Sequence, residues 1–134
     1  MNSKTRHPGG CHCGAVRYEV NLDPARGSMC NCTLCQKLGT VGAMVSPADF
    51  RLLAGEEHLS GYAWGEKTRA SFFCKRCGVH CFARGHLRQL GGDYVSVNLN
   101  ALDDLELSRV QLLHWDGRHD NWQAGTRPER WPIA

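Results

Sequence analysis

The sequence predicts a mainly β, antiparallel single domain spanning residues 1–134, and three observations carry that prediction. Apolar side chains alternate with polar ones at Val16, Tyr18 and Val20, and again at Val95, Val97 and Leu99, which is the period of a half-buried strand. Fifteen Gly and four Trp in a chain of 134 residues favour turns and strands over a helical bundle. Residues 69–83 read as strand, metal knuckle, strand, a hairpin whose turn an ion would hold.

Taken in order, residues 1–8 are polar and read as a short flexible start. Residues 15–20 form the first alternating strand. Residues 40–46 form the next, stopped by Pro47-Ala48-Asp49. Residues 50–53 make a short strand ending at Gly55, and residues 59–64 another, followed by a Gly65-Glu66 turn. Residues 69–73 run into the third cysteine group and residues 79–83 run out of it. Residues 94–99 alternate again, and residues 101–105 suit one helical turn. The tail at 112–131, rich in Trp, Gly, Asp and His, reads as an ordered loop and a late strand.

Composition narrows the function classes. A net charge of +3, without a basic run, gives no footprint for nucleic acid. Residues 1–10 lack an apolar stretch of signal-peptide length, and no run suits a bilayer crossing. The expectation is a cytoplasmic protein in a reducing compartment, with no nucleic-acid or membrane partner. There, cysteines spaced C-x-C and C-x-x-C favour metal over disulfides.

The eight cysteines fall into three groups: Cys11 and Cys13; Cys30, Cys32 and Cys35; and Cys74, Cys77 and Cys81. Cys74-x-x-Cys77-Gly78 is a zinc-knuckle pattern, and Cys11-x-Cys13-Gly14 offers a second pair ending in the same residue. Two pairs complete a tetrahedral thiolate site, with a buried thiol pair or a disulfide as the plainer alternative. Lys75 and Arg76 would offset its negative charge. Cys30, Cys32 and Cys35 can grip one ion from a single loop, but the fourth ligand must come from elsewhere. Cys81 would close the site; a histidine, water or substrate would leave it open. Three thiolates make zinc a poor source of hydroxide and a good acceptor of another sulfur, so an exogenous thiol suits the vacancy. Iron–sulfur ligation by this loop is the remaining metal alternative.

The order C-x-C-G, C-x-C-x-x-C, F-C-x-x-C-G resembles the glutathione-dependent formaldehyde-activating enzyme family, whose domain is shared with centromere protein V. The resemblance runs from Gly10 to about Leu99. It implies a β-tent arrangement, antiparallel sheets meeting around zinc, and two Zn2+ per chain. It further implies that Cys11, Cys13, Cys74 and Cys77 hold structural zinc, and that Cys30, Cys32 and Cys35 hold a catalytic one. The implied activity is that of a carbon–sulfur lyase, with glutathione or a similar small thiol and a small aldehyde as partners. S-hydroxymethylglutathione is the adduct formed or cleaved. The family motif needs seven cysteines, so Cys81 is extra. Were Cys81 to close the second site, the chain would instead be a non-catalytic zinc-stabilised binding module. These 134 residues contain no long basic extension like that of the centromere branch, so its microtubule or chromatin roles are not expected here.

Other residues are weaker candidates. His12 and His80 neighbour metal ligands and are candidates to orient them. His119 beside Asp120 is a candidate proton carrier, against a polar turn seeded by Asp116-Gly117 and anchored by Trp115 and Trp122. Arg69, Arg84 and Arg88 are candidates to hold a ligand carboxylate. Trp64, Phe72 and Phe73 read as packing residues.

Overall fold

The computed structural model describes residues 4–65 and 67–134, so Glu66 of the expected Gly65-Glu66 turn and the first three residues lie outside it. Strands β1 (Thr5–Gly10), β2 (Arg17–Leu22) and β5 (Phe50–Ala54) form a three-stranded antiparallel sheet in the order β1-β2-β5. The second sheet contains β3 (Arg26–Cys30), β4 (Gly42–Val45), β6 (Leu59–Ala63), β7 (Arg69–Cys74), β8 (His80–Leu87), β9 (Gly92–Asn98) and β10 (Gln111–Trp115). Its order is β10-β3-β4-β9-β8-β7-β6. Helix α1 (Thr33–Leu38) is the one α-helix among the described residues. None of their helices is long and apolar enough to cross a membrane.

The predicted fold class holds: the chain is mainly β with antiparallel sheets. One pair differs. Strand β10 lies parallel to β3, with Gln111 opposite Arg26 and Trp115 opposite Cys30. That pairing lays the chain just after Trp115 against the loop that follows Cys30.

The alternating strands behave as their patterns require. Val16, Tyr18, Val20 and Leu22 are all at or below 3% exposure, so β2 and the residue before it present one face to the core. Val95, Val97 and Leu99 meet them from the larger sheet. An aromatic group fills the space between the sheets: Tyr18 lies 5.2 Å from Phe50, and Phe82 lies 4.6 Å from Phe50 and 5.4 Å from Phe72, centroid to centroid.

Two local expectations fail for identifiable reasons. Residues 5–10 form β1, paired with β2 from Thr5 opposite Leu22 to Gly10 opposite Arg17, although the expected flexible start at 1–8 takes in the first four of them. Their polar side chains are used in the fold: His7 is buried, with its Nδ1 3.0 Å from Asp104. The helical turn expected at 101–105 sits earlier, at Leu99–Ala101. Asn98 caps it by accepting from the Asn100 N–H at 3.2 Å, and burial of Leu99 and Ala101 fixes the turn there.

Candidate active site

The first cysteine group joins two elements far apart in sequence. Cys11 and Cys13 lie in the turn between β1 and β2; Cys74 ends β7, and Cys77 follows in the turn to β8. Their four Sγ atoms all lie within 4.8 Å of one another. Cys11 to Cys13 measures 3.6 Å and Cys13 to Cys74 measures 3.7 Å. Four sulfurs set tetrahedrally around zinc at ~2.3 Å stand about 3.8 Å apart. The group therefore fits a tetrahedral thiophilic ion.

Backbone geometry supports that fit. The N–H of Val16 points to Cys11 Sγ at 3.2 Å, and the N–H of Arg76 to Cys74 Sγ at 3.3 Å, contacts that favour thiolates. Gly78 closes the knuckle with φ 78°, donating its N–H to the Cys74 carbonyl at 2.8 Å. An L side chain is strained in that left-handed region.

Cys30 ends β3, Cys32 is the N-cap of α1, and Cys35 sits within that helix. Their three Sγ atoms also lie within 4.8 Å of one another. Among the described residues, no fourth His, Cys, Asp or Glu joins them. The Cys32 N–H faces Cys30 Sγ, and the Cys35 N–H faces Cys32 Sγ, each at 3.4 Å. Without an ion the trio is polarised. Hydrogen bonding from Cys30, then from Cys35, draws Cys32 down to about 2. Contacts with Cys30 and then Cys32 push Cys35 up, and the contact with Cys32 pushes Cys30 up. Three crowded sulfurs that cannot all ionise alone are a donor set that a divalent cation would satisfy.

Cys81 lies elsewhere. It is fully buried on β8, its S–H directed at the Val79 carbonyl 3.5 Å away. Burial, followed by the charges of Cys11, Cys74, Cys77 and Cys13, pushes its thiol up to about 12. It therefore sits on the side of the first group. The structure does not bring it into the Cys30 loop.

The segment after β10 braces that loop. Asp116, 5% exposed, accepts from Asn31 Nδ2 at 2.9 Å, His119 Nδ1 at 2.8 Å and Asn121 Nδ2 at 3.3 Å. The Asn31 bond is the main reason its carboxyl lies below the ordinary range, with His119 and Asn121 adding to it. Asn31 stands between Cys30 and Cys32 and is held from three sides. Its Oδ1 accepts from the Arg118 N–H and its carbonyl from Arg118 Nε, both at 2.9 Å, and its own N–H reaches the Trp115 carbonyl at 3.4 Å. A Cβ on Gly117 would lie 2.5 Å from Cys30 Sγ, so the backbone presses directly on that sulfur.

This corrects the expected His119–Asp120 pair. The carboxylate that orients His119 is Asp116; Asp120 instead accepts from Trp122 Nε1 at 3.1 Å. Asn31 was missed, although its place between two cysteines was visible. Asp116 was read only as a turn residue. His12 is exposed, and His80 packs on Phe73 at 5.4 Å. Trp64, expected to pack, is 50% exposed.

A model of the glutathione-dependent formaldehyde-activating enzyme family matches residues 6–116, from β1 through both cysteine groups to Asp116. The chain belongs to that family. A Halomonas elongata protein that carries this family's name provisionally is 34% identical over 82 residues, covering 52% of this chain and 50% of the relative. The chain thus spans about half the length of this curated relative. A crystal structure of a Rhodobacter sphaeroides protein superposes with a TM-score of 0.67 at 32% identity, covering 78% of this chain and 98% of that one. The glutathione-dependent formaldehyde-activating family names an enzyme that handles formaldehyde with glutathione, and its matched region here holds both groups that could bind metal.

Proposed function

We propose that this protein is a zinc-dependent carbon–sulfur lyase-type enzyme acting on glutathione or a similar small thiol and its formaldehyde adduct. One direction forms a C–S bond. The thiol sulfur attacks formaldehyde carbon, the C=O becomes C–OH, and the thiol proton ends on that oxygen, giving S-hydroxymethylglutathione. The other direction reverses each change. The single observation that carries this reading is the contrast between the two groups: four protein sulfurs in one, three in the other.

Cys11, Cys13, Cys74 and Cys77 would hold a structural zinc, and Cys30, Cys32 and Cys35 a second one. At that second site zinc would supply Lewis acidity, favouring the thiolate of an incoming thiol or polarising an aldehyde oxygen. The protein's own share is positional. Cys32 and Cys35 ride on α1, Cys30 is pressed by Gly117, and Asn31 is tied to Asp116, so the three donors converge on one point. His119, oriented by Asp116, is the candidate on this segment to carry a proton to or from the adduct oxygen. Free thiols and thiolate ligands suit a reducing cytoplasm.

Metal content decides the reading. Native protein and Cys81→Ala should each carry two zinc ions per chain, and Cys32→Ser should carry one. Native protein and Cys81→Ala should also bind glutathione and speed its exchange with formaldehyde, followed by NMR; Cys32→Ser should not. A Cys81→Ala protein with a single zinc, and no thiol binding by either form, would mean a closed second site and sink the enzyme reading.

A further inference from the structure

Across the middle of the larger sheet, three small side chains stand in register on one face. Ser71 on β7 pairs with Ala83 on β8, and Ala83 with Ser96 on β9. The opposite face carries Phe72, Phe82 and Val97 into the core. Small residues in a row leave a trough where large ones would fill it. A cavity of about 30 Å³ occupies it, walled by Leu38 and Thr40, which end and follow the Cys35 helix, and by Arg69. That is room for a carboxylate-sized group, since a single water needs roughly half as much.

Arg69 is the cation of this cavity, and no acidic side chain lines it. Among the described residues Arg69 makes no ion pair and no side-chain hydrogen bond, although it is only partly exposed. Leu38 ends the helix that carries Cys35 and lines the same cavity as Arg69, so the cavity and the cysteine loop are neighbours. The other two candidate arginines are placed differently. Arg84 lies over the Phe50 and Phe82 rings, 5.7 and 5.4 Å from their centroids, and Arg88 is exposed in a turn beyond β8. Only Arg69 combines an unengaged guanidinium, polar small neighbours and proximity to the three sulfurs.

We propose that Arg69, flanked by the Ser71 and Ser96 hydroxyls, is a subsite for a carboxylate of the thiol substrate, so that the enzyme selects acidic thiols over neutral ones. The guanidinium offers a planar fork to two carboxylate oxygens, while the adjacent cysteine loop takes the sulfur end. This rests on the reading that a thiol binds at Cys30, Cys32 and Cys35, and it adds what that thiol must carry.

Calorimetric titration of the zinc-loaded full chain with glutathione, glutathione diethyl ester and 2-mercaptoethanol tests it. Native protein should bind glutathione at least roughly tenfold more tightly than the ester. In Arg69→Ala that preference should vanish while 2-mercaptoethanol binding and zinc content stay unchanged. Arg69→Lys, which keeps the charge and loses the fork, should fall between. Arg84→Ala should keep the native preference. Equal binding of acid and ester by native protein, or equal losses for all three thiols in Arg69→Ala, would overturn the subsite and leave the thiol site standing. Failure of every thiol to bind native protein would overturn both.

Discussion

Asn31 owes its position to a carboxylate distant in sequence, and that dependence can be tested by exchanging the partners. In the native pair, Asn31 Nδ2 donates to Asp116, while Asn31 Oδ1 accepts from the Arg118 backbone. Asp116→Asn permits the two amides to misalign, and Asn31→Asp sets two carboxylates against each other. Each single change should weaken retention of the second metal roughly 10- to 100-fold, as loss of a ligand-orienting partner does. The double exchange, Asn31→Asp with Asp116→Asn, restores a donor facing an acceptor and should recover most of the loss. Chelator competition monitored by metal release measures this, with the first cysteine group as an internal control. Equal loss in the single and double variants would show that the pair does not position the loop. At this scale the sequence disclosed the donors and hid their brace. Metal spacing is local and visible, whereas a contact between residues 31 and 116 depends on the strand pairing that brings them together.

Strands were legible where burial on one face imposes a period of two. β2 and β9 show that alternation, and both were expected almost in place. β3 shows none. Its run Arg26-Gly27-Ser28-Met29-Cys30 gives no pattern because Gly27 makes room for Val41 and Leu99, which a Cβ would meet at 2.6 and 2.7 Å. Helix α1 is six residues long, contains no buried residue, and is held by Cys32 capping rather than by an apolar stripe. The parallel partnership of β3 and β10 links segments separated by most of the domain, information that propensity does not carry. That pairing makes Gly117 a sensitive point. Gly117→Ala would place a methyl against Cys30 Sγ and the Trp122 ring, the nearest atoms being 2.5 and 2.8 Å away. The segment after β10 must then lift from the loop. Expected results are a weakened second metal site and little change in Tm, read by metal analysis and thermal unfolding of the same preparation. Undisturbed metal binding would show that the contact is slack.

The two cysteine groups differ in what they tie together, and this should separate their losses. Cys13 and Cys74 are 61 residues apart, so a metal among the first four sulfurs links the small sheet to the β7–β8 hairpin of the large one. An unfolded chain must give up much loop entropy to close such a link, which would make that metal a fold-wide staple. The second group closes only residues 30–35, and a metal there would restrain little chain. Graded chelation should therefore release metal in two stages. The first stage should abolish thiol binding with far-ultraviolet circular dichroism unchanged; the second should coincide with cooperative unfolding. By the same logic Cys32→Ser should keep a near-native Tm, while Cys13→Ser should lower it by roughly ten degrees or more. What three dimensions add is the place of Cys81, which is buried on the side of the first group and leaves the second with three sulfurs. Should both metals leave in one step with the fold, the division between a staple and a working centre would be wrong, and the open loop would have to be counted as part of the structural core.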